Sequence, residues 1–98
     1  VDILEIENEI IALDKIKLQK LVSWLTHKDL AVAVLLFSKL AGNLILESTS
    51  KGGRQIIAEE KEEYKDSYEE YVPGLLVKVK KYISLIIAGK SIENIADE

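Results

Sequence analysis

The chain has 98 residues, 48% of them apolar, and a net charge of −4. That length supports a single domain with one core, and the apolar share excludes a disordered chain. With no cysteine, neither a disulfide framework nor a thiolate metal site can form.

Residues 2–12 place Ile3, Leu4, Ile6, Ile10 and Ile11 at helical spacing, with acidic residues near the positive end of the helix dipole. Asp14 is a cap for a second helix, about 15–25, that buries Leu18, Leu21, Val22 and Leu25 and leaves Ile16 and Trp24 off its stripe. Thr26 followed by Asp29 has the form of a capping box. A third helix then runs about 28–41. It is apolar on almost every side, from Leu30 to Leu40, as a central helix is, and Gly42 is its natural C-cap.

The next stretch holds two short apolar runs, 44–49 and 54–58, around Ser50-Lys51-Gly52-Gly53. Glycines between such runs predict an antiparallel hairpin. Residues 59–71 return to helix, with Ile57, Tyr64, Tyr68 and Tyr71 on one stripe, until Val72-Pro73-Gly74 breaks it. A last long helix, about 75–88, buries Leu75, Leu76, Val79, Tyr82, Ile83, Ile86 and Ile87 and stops at Gly89. Ser91 caps a short terminal helix through Ile92 and Ile95. The expected class is a single domain over 1–98, mostly α with one β-hairpin (α+β), with an all-α helical bundle as the alternative.

Charge is unevenly spread. Residues 13–54 carry seven cations against three carboxylates, whereas 59–70 carry seven carboxylates against two lysines. Such asymmetry points to a charged partner or to two solvated helix faces. Abundant Lys, Glu and Ile without Cys or Met is the bias of hyperthermophile proteins, and the cytoplasm is the expected compartment. The acidic start, with Asp2, Glu5, Glu7 and Glu9, is unlike a secretion signal. The longest apolar stretch, 30–46, is short for a membrane span and contains Ser38, Lys39, Gly42 and Asn43, so no membrane partner is expected.

No motif for catalysis stands up. Ala88-Gly89-Lys90-Ser91 has the end of a phosphate-binding loop, but Ser84 stands where its first glycine belongs. His27 is the one histidine and lacks the partners a metal site or a triad needs. The carboxylates of 59–70 fall on a helix face with nothing to raise a pKa. No catalytic residue, metal ligand or cofactor is expected.

The order of three helices, a glycine-tipped hairpin and further helix resembles a winged-helix domain over residues 2–58. The run Lys39–Ile57 looks like that family's third helix, wing strands and wing tip. The resemblance implies wing contacts to DNA backbone from Lys51 and Arg54. The third helix, however, offers only Lys28, Ser38, Lys39 and Asn43 among aliphatic residues, too few polar groups to read bases.

These readings favour a non-enzymatic adaptor or accessory subunit acting by protein–protein interaction within a nucleic-acid-processing complex. Its partner would be another protein subunit or a second copy. Tyr64, Tyr68, Tyr71, Val77, Lys81 and Leu85 are the expected contact residues. Val77 and Leu85 stand out because they lie among the lysines, opposite the apolar stripe of their helix. The alternative is a winged-helix transcriptional regulator that dimerises through 59–88 and binds DNA through Lys15, Lys17, Lys20, Lys51 and Arg54. Nucleic-acid binding, if present, should be weak and without sequence preference.

Overall fold

Asp2, Asp14, Thr26, Ser38 and Ser50 stand twelve residues apart, and each begins a helix. In the computed structural model, which describes residues 2–91, these helices are α1 (Ile3–Ala12), α2 (Lys15–Trp24), α3 (His27–Leu36), α4 (Lys39–Glu47) and α5 (Lys51–Tyr64). A 3-10 helix (Tyr68–Tyr71) leads into α6 (Val72–Ile87). Each cap side chain accepts a backbone N–H of its first turn, for example Asp14 from Lys17 at 2.8 Å and Ser50 from Gly53 at 3.1 Å. Thr26 and Asp29 complete a reciprocal box: Asp29 also accepts the Thr26 N–H at 3.1 Å. Leu13 and Leu25 precede their caps, and Leu18 and Leu30 follow them by four positions. Each pair lines a common cleft, the arrangement of a hydrophobic staple.

The described residues contain six α-helices and no strand, so the all-α alternative describes the fold and the hairpin does not. Residues 44–49 mostly complete α4, and 54–58 lie inside α5. The reason is a competition between two uses of the same residues. A tight hairpin requires positive φ, yet neither Gly52 nor Gly53 has it. The Ser50 hydroxyl instead caps a helix, and Gly53 and Ile57, four apart, both turn inward and are buried. With the wing gone, the winged-helix resemblance falls too, and Lys51 and Arg54 sit on the first turn of a helix instead of a wing tip.

Other boundaries also move. The expected third helix is two helices, broken at Phe37-Ser38, where Ser38 caps α4. Gly42 therefore lies inside α4 and is buried, not a C-cap. Pro73 opens α6 at its second position, where no N–H is required of it. Gly89 does stop α6, at φ +75, the left-handed conformation that suits glycine. The helix expected from Ser91 lies outside the described residues.

Helix α3 is the centre of the packing. It meets α4, α5, α6 and the 3-10 helix, and Leu30, Ala31, Val32 and Ala33 are all buried in succession. Around it stand Ile6 and Ile10 of α1, Leu18, Leu21 and Val22 of α2, Ala41 and Ile45 of α4, and Ile57 of α5. Leu75, Leu76, Val79, Ile83 and Ile86 complete the core from α6. Ile87, expected inside, is 64% exposed, because it follows Ile86 by 100° around the helix.

Polar ties hold α1 in place. Glu7 accepts the backbone N–H of Ser38 at the start of α4. Lys80 of α6 donates to Glu9 at 2.6 Å and to Glu5 at 3.2 Å. These bonds, to Glu9 first and Glu5 next, raise the Lys80 pKa above the ordinary lysine value. A group whose pKa is raised on folding contributes stability that is complete below its unfolded pKa and lost as pH climbs through the folded one. Melting temperature should therefore fall above about pH 10, and by less in Lys80→Gln than in the native chain. Equal alkaline losses measured by circular dichroism would remove this tie from the account.

Candidate functional site

Helix α6 turns Leu76, Val79, Ile83 and Ile86 to the core, which leaves Val77, Lys81 and Leu85 on another side at successive four-residue steps. Val77 is 60% exposed and Lys81 is exposed, while Leu85 is half-buried. Val77 shares a shallow hollow with Val72, Pro73 and Leu76 at the start of the helix. The apolar part of this face is therefore centred on Val77, one turn before the lysine, more than on Leu85.

The tyrosines do not continue the single helical stripe of their spacing. Helix α5 ends at Tyr64, the chain turns through 65–67, and Tyr68 and Tyr71 ride on the 3-10 helix and pack against the core. Tyr64 and Tyr71 meet edge to face, with ring centroids 5.5 Å apart and planes at 82°. The Lys28 ammonium of α3 stands over both rings, 3.7 Å from the Tyr71 centroid and 4.8 Å from that of Tyr64. Lys28 was not among the expected contact residues, and nothing in its local sequence marks it. A second aromatic pair joins Trp24 of α2 to Tyr82 of α6 at 5.5 Å, with Lys20 over the indole at 5.4 Å. The Lys20–Trp24 spacing, one helical turn, was the legible half of that contact.

The basic residues do not share one setting. Lys15 lines a cleft with Glu47, and Lys17 lines another with Glu9 and Asp14, lying 3.8 Å from the Asp14 carboxylate. Lys20 lies on Trp24. Lys51 and Arg54 are exposed on the first turn of α5. Two of the three α2 lysines thus share a cleft with carboxylates, which reduces what this helix offers to a phosphate backbone.

His27 is exposed at the first position of α3, beside a polar hollow lined by Ser48, Thr49 and Ser50. Among the described residues no three His, Asp or Glu side chains are grouped to hold a metal ion. No helix among them is long and apolar enough to cross a membrane. No protein-family model matches the chain, and no curated protein or solved structure matches it.

Proposed function

We propose that the domain is a small non-enzymatic adaptor that docks another protein subunit, or a second copy of itself, on the outer face of α6. The observation that supports this reading is Val77: an aliphatic side chain 60% exposed on a helix whose inner stripe is completely packed. Pro73 and Val72 extend the apolar surface toward the start of the helix, and Lys81 one turn on supplies a charge to set orientation.

Val77→Glu tests it. The substitution stays on the surface, so melting temperature should hold. Burying an apolar side chain of this size contributes about 1.5 kcal/mol or more, so association should weaken by about tenfold or more. The measurement is light scattering of the purified domain for self-association, and quantitative capture of native partners on immobilised native and variant chains. Equal self-association and equal capture of the same species by both chains would exclude this face.

A further inference from the structure

Helix α3, the 3-10 helix and the first two turns of α6 enclose a half-open cleft of about 330 Å³. Its volume falls at the lower end of the range of small-ligand sites. The floor is apolar, made by the buried side chains of Val32 and Leu75. Tyr71 forms one wall, with Lys28 held against its ring. Asp29, also in the lining, is already committed: it pairs with Lys78 at 2.9 Å and accepts the Thr26 N–H.

Two features of this cleft leave room for a ligand. The Lys28 ammonium has no carboxylate of the described residues within ion-pair distance, although it is half-buried and its neighbour Asp29 is paired. The rings hold the cation, and its N–H donors stay open to solvent and to an entering acceptor. The second feature is Gly74, in the first turn of α6. Its φ is not positive, and a Cβ there would meet nothing within 4 Å. Neither conformation nor packing asks for glycine, and glycine in a helix is destabilising relative to alanine. What glycine does provide is an open wall beside Lys28, where a ligand can approach the backbone.

We propose that this cleft binds a carboxylate carried on a short aliphatic group, the carboxylate on Lys28 and the aliphatic part on the Val32–Leu75 floor. Lys78, also in the lining, has an ammonium that keeps donors beyond its bond to Asp29 and supplies a second contact. Glu70 stands at the rim, is exposed, and opposes the ligand through solvent, where its repulsion is screened. The proposal does not depend on the α6 face serving as a docking surface.

The test is a titration of the isotopically labelled domain followed by amide NMR. The probes are N-acetyl-leucine, which imitates a chain end, 4-methylpentanoate, which imitates a free acid, and N-acetyl-leucinamide, which lacks the charge. The two carboxylates should give saturable shifts confined to amides of 28–32 and 70–78, and the amide should not. Whichever carboxylate binds more tightly identifies the source as chain end or free acid. Lys28→Gln should weaken binding by about tenfold, the scale of one hydrogen bond to a charged group, and Lys28→Arg should restore it. Glu70→Gln should tighten it. Gly74→Leu, a good helix former that fills the opening, should abolish binding without lowering the melting temperature. Equal shifts with the amide, undiminished binding to Lys28→Gln, or no saturable shift with either carboxylate would overturn the proposal.

Discussion

Ile57→Ala should destabilise the domain by about 2–5 kcal/mol, the range for removing a large aliphatic side chain from a packed interior. Ile57 is the one large side chain that α5 sends wholly into the core, at 0% exposure, and α5 packs chiefly on α3. A domain of this size has about 5–15 kcal/mol in total, so this single change removes a large part of the margin. Its neighbour is the control. Ile56 is 40% exposed on the outer side of the same helix, and Ile56→Ala should cost under about 1 kcal/mol. Urea denaturation followed by circular dichroism measures both. Similar midpoints for the two variants would mean that the inward face of α5 is assigned to the wrong residues.

Gly52→Ala and Gly53→Ala should move stability in opposite directions. At Gly52 a Cβ would meet nothing within 4 Å, and alanine restricts the unfolded chain and favours helix, so the gain should be about 0.5–1 kcal/mol. At Gly53 the new Cβ would stand 2.7 Å from Thr49 Cγ2 and 3.1 Å from the Ser50 hydroxyl that caps α5. Thr49 is β-branched and its own hydroxyl bonds the Ile45 carbonyl at 2.8 Å, so it cannot simply swing away. Gly53→Ala should therefore cost about 1–3 kcal/mol, the usual penalty of overpacking. The two melting temperatures, compared with that of the native chain, decide the matter. Two gains would mean that the close approach of Thr49 is not a constraint, and two losses would mean that Gly52 is not as open as its surroundings show.

The same two glycines show where the sequence was legible and where it was not. Asp14, Thr26 and Asp29 precede clear apolar stripes, so their caps could be read directly, and with them α1, α2 and the start of α3. Ser38 was hidden between Phe37 and Lys39 inside one long apolar run, and a helix boundary made by a single hydroxyl left no trace in the periodicity. At Ser50 the local signals conflict: a cap for helix and a glycine pair for a turn. What favours the helix, burial of Gly53 and Ile57 on the face of α5 that meets α3, is a tertiary contact. Tyr64, Tyr68 and Tyr71 kept helical spacing, yet the chain leaves the α-helix at Lys65, and Lys28 draws two of the rings together from a distant segment. Val77 was legible as an off-stripe residue because burial of its neighbours follows the simple period. The cleft beside Lys28 was not, since its walls come from three elements that no local pattern joins.

The twelve-residue cadence of caps has a consequence for how this molecule can move. Residues 13–14, 25–26 and 37–38 are the whole of the first three connections, and each pair consists of an anchored hydrophobe and a hydrogen-bonded cap. Such joints have no slack to act as hinges, and no long loop among the first four helices is free to open or close. Lys28 and Asp29, on the third of these helices, would therefore meet a ligand from a frame already in its final shape. Little ordering entropy is then lost in that helix on contact.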